Sequence, residues 1–209
     1  MAIRPAWTLT DGRVIRRDFE FPWSGGFALS QKQKNVRALH GAIMNGTGQS
    51  ALEVSSKSTE ELGRALSAFR LTLSGRPLEN VFQSAKKYEG GGPYPDLLEV
   101  PPRDAKRDPR HASSGRLTGF VRQGEIWPLE PKTAFYDYIY VAAVLETFGE
   151  LPDLSPFAWF TDIEFNPARS LNCQARAAAI CRLLRASDGF AALADMEKWL
   201  RFHKEHVIG

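Results

Sequence analysis

The sequence is poor in the residues that build metal and cofactor sites. Of its 209 residues two are cysteine and four are histidine, too few convergent ligands for a zinc module, in which four Cys or His side chains recur at fixed spacing. Cys173 and Cys181 sit eight positions apart on a stretch predicted as helix. Their separation along the axis, about 12 Å, exceeds disulfide reach, so both are expected to be buried free thiols. His203 and His206 fall at i, i+3 beside Lys204-Glu205, which reads as a solvated helix face without a second ligand pair. No metal is expected. There is no G-x-x-x-x-G-K-[ST] and no G-x-G-x-x-G, and no histidine is singled out for a serine triad, so no cofactor is expected either. No apolar run approaches the ~20 residues of a membrane span. The opening Met1-Ala2-Ile3-Arg4-Pro5 lacks the apolar stretch of a signal peptide. A cytoplasmic protein without membrane contact is the expectation.

What is present suits one globular unit. With 43% hydrophobic and 11% aromatic residues and a net charge of +3, the chain can bury a sizeable core and has no charge excess favouring disorder. The basic residues are unevenly spread, however. Arg103, Lys106, Arg107, Arg110, Arg116 and Arg122 crowd together. Such a cluster is either a solvated face partly neutralised by Asp104 and Asp108, or a phosphate site, since guanidinium groups grip phosphates bidentately.

Along the chain, residues 7–30 alternate apolar and polar around Gly12 and Gly25-Gly26, which predicts one or two short strands. Trp7, Phe19, Phe21 and Trp23 are too costly to leave wet, so residues 1–61 are expected to pack on the core as an N-terminal extension. Gln31 to Met44 reads as helix, and Ser58-Thr59-Glu60-Glu61 as a capping box opening a helix that carries Leu62, Leu66 and Phe69 inward. Gly90-Gly91-Gly92 is a flexible connector or a loop that lets backbone approach a ligand. Pro131 opens a helix to about Phe148, whose Phe135-to-Tyr140 aromatic run is core or a base-stacking platform. Residues 151–169 read as loop, followed by helices near 171–186 and 190–206.

The most informative stretch pairs an acid with an amine. Placed on a helix turning about 100° per residue, Glu79, Gln83 and Lys86 share one stripe, while Leu78, Val81, Phe82 and Ala85 form the core-facing one. Glu and Lys are common on solvated faces. Held against an apolar wall, they suit general acid/base or Schiff-base chemistry. Asp162, in an aromatic-rich loop, is a turn residue or a partner of sugar hydroxyls, and Asn172 a helix cap or a ligand contact.

Leu66-Ser67-Ala68-Phe69, the turn at Gly75, and Leu78-Glu79-Asn80-Val81-Phe82-Gln83-Ser84-Ala85-Lys86 together resemble the "LSNF…G…EHYFQAQK" motif of the NADAR (YbiA-like) family. Ala105-Lys106 and Arg110 resemble that family's "AK…GR" element, with Pro109 where Gly is usual, and Trp127 falls where the family has a Trp. Asp162, Asn172 and the stretch Ala175 to Leu183 are similar to its closing element. The resemblance covers residues 62–185. It departs at Asn80, where His is usual, at Ile163-Glu164-Phe165 in place of a Trp-Gly pair, and at Cys173-Gln174 in place of Leu-Gly.

The resemblance implies a helix-dominated α+β fold with a few short antiparallel strands in a single domain, residues 186–209 adding a C-terminal helix. It also implies an N-glycosidase that breaks a C1′–N bond. The substrates it implies are ADP-ribose on modified guanine, in nucleic acid or nucleotide and in a toxin–antitoxin setting, or a riboflavin-pathway pyrimidine ribotide. A non-catalytic binder of ADP-ribosylated or other nucleic acid is the alternative class. Under the enzyme reading Lys86 and Glu79 are catalytic. Ser67, Phe69, Gln83, Lys106, Arg110, Trp127, Asp162 and Asn172 are expected to bind a phosphorylated N-riboside: Asp162 its hydroxyls, Lys106 and Arg110 its phosphates, Trp127 a ring. Neither pattern nor resemblance sets an oligomeric state.

Overall fold

A computed structural model of the chain describes residues 1–168, 170–187 and 189–208. It opens on two nine-residue strands, β1 (Ala2–Thr10) and β2 (Arg13–Phe21), joined by Asp11-Gly12 with both residues at positive φ. Asp-Gly is the pair that such a tight hairpin demands. Next come helix α1 (Leu29–Thr47), stopped by left-handed Gly48, strand β3 (Ala51–Glu53), helix α2 (Glu61–Ala65), and the pair β4 (Thr72–Leu73) and β5 (Arg76–Pro77). Helix α3 (Leu78–Ser84), strand β6 (Lys86–Tyr88), helices α4 (Pro102–Arg107) and α5 (Arg110–Ser113), and strands β7 (Leu117–Arg122) and β8 (Glu125–Trp127) form the middle of the chain. Helix α6 (Ala134–Phe148), strand β9 (Trp159–Thr161), helices α7 (Gln174–Ala186) and α8 (Met196–His206), and strand β10 (Val207–Ile208) complete it.

The main sheet runs β10-β2-β1-β9-β3, and β6-β7-β8 form a second, smaller one. The fold is α+β. Its strands are neither all short nor all antiparallel, because β10 lies parallel to β2 and β3 parallel to β9. Strand β9, with three buried residues, lies inside the stretch that reads as loop in the sequence; three residues are too few to establish an alternation.

The sheet's two faces are covered differently. Ala6, Phe19, Phe21 and Trp159 pack beneath Val36, Leu39 and Ile43 of α1. Trp7, Val14, Leu52 and Phe160 point the other way, into a larger core shared with α6 and α7. Helix α6 is buried on most of its circumference, the mark of a central helix, and its aromatic run is core: Phe135 stacks on Phe120 at 4.5 Å. It starts at Ala134, one turn later than Pro131.

Inside this core Asp137 accepts from Arg176 Nε and Nη2 at 3.1 Å each, and its Oδ2 pairs with His203 Nε2 at 2.9 Å and Thr133 Oγ1 at 3.0 Å. Burial opposes ionisation of Asp137, but Arg176 and His203 more than offset it and hold the carboxyl below its ordinary range. His203 is therefore a core residue and not part of a solvated face, the face of α8 being set by Trp199, whose indole donates to the Ala134 carbonyl at 2.8 Å.

Candidate functional site

Helix α3 is shorter than its apolar pattern suggests. It ends at Ser84, and the carbonyl of Ala85 is captured by the Val121 N–H at 2.7 Å as the chain enters the small sheet. Lys86 is thus the first residue of β6 and not a member of the Glu79 helical stripe. The true helical neighbour of Glu79 is Gln83, whose Nε2 donates to Glu79 Oε1 at 2.7 Å. Lys86 nevertheless stays within the electrostatic reach of Glu79. Its ammonium lies 5.2 Å from the Phe82 ring centre. Burial lowers the Lys86 pKa, Glu79 works against that, and the charge of Lys106 adds to the lowering. Lys106 Nζ itself stands 4.0 Å from Glu79 Oε1.

The glycine triplet is packed and not a loose connector. Gly92 has φ +81, and a Cβ there would lie 2.2 Å from the Lys86 carbonyl oxygen, so the chain that carries Lys86 is held by a turn only glycine can make.

Asp162 follows β9 and is 6% exposed. Its Oδ2 accepts from Gln174 Nε2 at 3.0 Å and its Oδ1 from the Glu164 N–H at 3.1 Å. The other end of Gln174 accepts the Ala68 N–H at 2.8 Å. One side chain therefore ties Asp162 to the Ser67-to-Arg70 turn. That turn buries Ser67 and leaves Phe69 77% exposed. The sequence pattern points Phe69 inward on a helix, but the helix stops at Ala65, and the capping box does not form, Glu60 being the N-cap without a side-chain bond. Tyr136 of α6 is buried nearby, against Phe82. Burial first, then the charges of Glu79, Asp137 and Asp162, keep its phenol protonated far above the ordinary range, and its ring meets Phe82 edge-on at 5.5 Å.

Glu53, at the end of β3, is absent from the sequence-based candidates. It is 1% exposed. Its Oε2 accepts from Thr161 Oγ1 at 2.7 Å and its Oε1 from the Ile163 N–H at 2.9 Å, which fixes the backbone on both sides of Asp162. Burial, and then the charge of Asp162, push Glu53 up to about 8; burial pushes Asp162 up to about 6 against its hydrogen bonds from Gln174 and Glu164. His40 Nε2 meets Thr161 Oγ1 at 2.9 Å, and burial takes it down to about 4, so it is neutral at physiological pH. No sequence signal separates this glutamate from any other; only the parallel pairing of β3 with β9 brings it there.

The family model for DarT1-associated NADAR antitoxins matches residues 2–208. The chain belongs to that family. No curated protein matches it. The NADAR match takes in the β1–β2 hairpin and α8, which lie beyond residues 62–185.

The other motif positions of this NADAR chain fall in several places. Trp127 is 2% exposed, between Phe135 at 5.4 Å and Tyr138 at 4.6 Å, so its ring is spent on the core. Arg110 is committed to Asp96 and Asp108 and lies 4.3 Å over Tyr94. Asn80, at the position where the motif resemblance expects His, is fully buried and donates to the carbonyls of Leu97 and Val100 at 2.7 Å each, anchoring the approach to the Lys106 helix. Asn172 is half-buried, and Cys173 and not Asn172 is the cap residue of α7. Both cysteines are free and buried. Clefts of about 330 and 160 Å³ open elsewhere, and neither is lined by Glu79, Lys86, Asp162 or Asn172. Among the described residues no three His, Cys, Asp or Glu side chains form a metal cluster, and no helix is long and apolar enough to cross a membrane.

Proposed function

We propose that this chain is an N-glycosidase that removes ADP-ribose from ADP-ribosylated guanine. The observation that carries the reading is the grouping of Glu79, held by Gln83 and facing Lys106 at 4.0 Å, with a desolvated Lys86 lying 5.2 Å from the Phe82 ring centre, in a chain of the DarT1-associated NADAR antitoxin family. Breaking the C1′–N bond sends its electron pair to the base, which takes up a proton, and leaves positive charge on the ribose. Glu79 and Asp162 are the carboxylates available to stabilise that charge. An amine with a lowered pKa is neutral more often and is the better nucleophile. Neutral Lys86 attacks the cationic C1 and passes a proton to Glu79, the ring oxygen leaves C1 with that proton as the imine forms, and water hydrolyses the imine to return the lysine and free ADP-ribose. Glu79 moves the protons. Phe69, exposed on a turn tethered to Asp162 through Gln174, offers a ring face to the base, and Lys106 offers charge to a phosphate.

The test is to incubate the protein with DNA carrying ADP-ribosylated guanine, and separately with a pyrimidine ribosylamine phosphate, and to follow the products by mass. Free ADP-ribose with unmodified guanine restored in the DNA is expected. Cleavage of the pyrimidine compound alone would move the substrate to the riboflavin-type ribotides, and tight binding without release would make the protein a reader of the modification.

A further inference from the structure

The larger cleft lies beside strands β1, β2 and β9 of the main sheet, apart from Glu79, Lys86 and Asp162. It has a volume of about 330 Å³ and is lined by Thr8 and Thr10 of β1, Arg17 of β2, Gln49, Trp159 of β9 and Arg182 of α7, with no acidic side chain on its wall. That volume falls in the range of small-molecule sites, roughly 300–1,000 Å³. The neighbouring arginines are neutralised: Arg16 by Asp18, and Arg185 by Glu150. Among the described residues Arg17 and Arg182 make no ion pair.

Both guanidinium groups are held in place by neutral contacts. Arg17 lies 4.9 Å over the Phe19 ring. Arg182 Nη1 makes a long 3.4 Å bond to the Ala158 carbonyl, whose better donor is Thr8 Oγ1 at 2.7 Å. Burial lowers the Arg182 pKa, opposed by the charge of Asp153. Gln49 accepts the Trp159 indole N–H at 3.0 Å through its side-chain oxygen, which turns its amide into a further donor. A half-buried cation without a counter-ion is costly unless something anionic completes it, and guanidinium pairs match phosphoryl oxygens in charge and geometry.

We propose that this cleft is a binding site for a phosphoryl anion, a phosphate or pyrophosphate group gripped between Arg17 and Arg182. The phosphoryl group belongs either to a free phosphorylated metabolite or to a nucleic-acid backbone. The site shares no lining residue with the Glu79–Lys86–Asp162 region, so it stands or falls independently of the glycosidase reading.

The Trp159 indole N–H reports on the cleft directly. Its NMR resonance, assigned with Trp159→Phe, is to be followed while inorganic pyrophosphate, and separately a short DNA duplex, is titrated into the full-length protein. A saturable shift with pyrophosphate is expected, its midpoint raised about tenfold or more by Arg17→Gln or Arg182→Gln. Arg182→Lys keeps the charge and is expected to lose less, and Arg17→Gln, at an exposed position, guards against an unfolded Arg182 variant. A response to pyrophosphate alone assigns the group to a free metabolite, whereas a response to both probes that falls steeply with salt assigns it to a backbone. No saturable shift at Trp159 at millimolar pyrophosphate, or an unchanged midpoint in Arg17→Gln, would overturn the proposal.

Discussion

The Glu53 carboxyl accepts the Ile163 backbone N–H at 2.9 Å, one residue past Asp162, while holding the Thr161 hydroxyl one residue before it. An acid outside the proposed machinery thus fixes the segment that carries Asp162, the acid proposed to stabilise the ribose.

That relationship has a pH signature. The folded chain keeps the Glu53 proton up to about 8, against an ordinary value of 4.5. The stability this group contributes is therefore complete below the unfolded value and lost as pH rises through the folded one. His40, lowered from 6.5 to about 4, acts with the opposite sign and only below 6.5. Between about pH 6.5 and 8.5 the wild type should lose stability relative to Glu53→Gln, read as urea midpoints. The same variant should retain activity at neutral pH and lose the alkaline limb of the rate profile. Parallel stability curves would remove Glu53 from this role.

Gln174→Ala should leave a folded protein, weakened by about 1–3 kcal/mol because Asp162 and the Ala68 N–H lose their partner. Turnover should fall about tenfold or more, since both Asp162 and the Phe69 turn are freed. Unchanged turnover would show that the bridge is structural only.

Arg176→Met leaves Asp137 charged in the core and should cost about 3–5 kcal/mol by denaturant titration. Removing both charges with Asp137→Asn and Arg176→Met should cost less than the single change. Additive losses would contradict a coupled pair.

Glu79→Gln should slow turnover by a factor on the order of a hundred, the scale of a lost general acid or base, while borohydride still traps substrate on Lys86. Failure to trap any adduct on the wild type would replace the imine with a water positioned by Glu79.

Apolar periodicity located α1, α3, α6 and α7 and the Leu78–Val81–Phe82–Ala85 stripe of the core, and the start of α6 fell within a turn of Pro131. Lys86 shows where periodicity stops: its stripe angle was right for a longer helix, but the Val121–Ala85 ladder bond claims the backbone first. Helical spacing paired Glu79 with Gln83, whereas the motif resemblance singled out Asp162 without geometry. Glu53, Gln174 as a bridge and the Arg17–Arg182 cleft were invisible, because each depends on strands distant in sequence lying side by side.

The most direct measurement is of affinity and turnover together in Lys86→Met, using DNA with a single ADP-ribosylated guanine. The account predicts binding within a few-fold of wild type and no detectable release of ADP-ribose. Release at a rate near that of the wild type would contradict it.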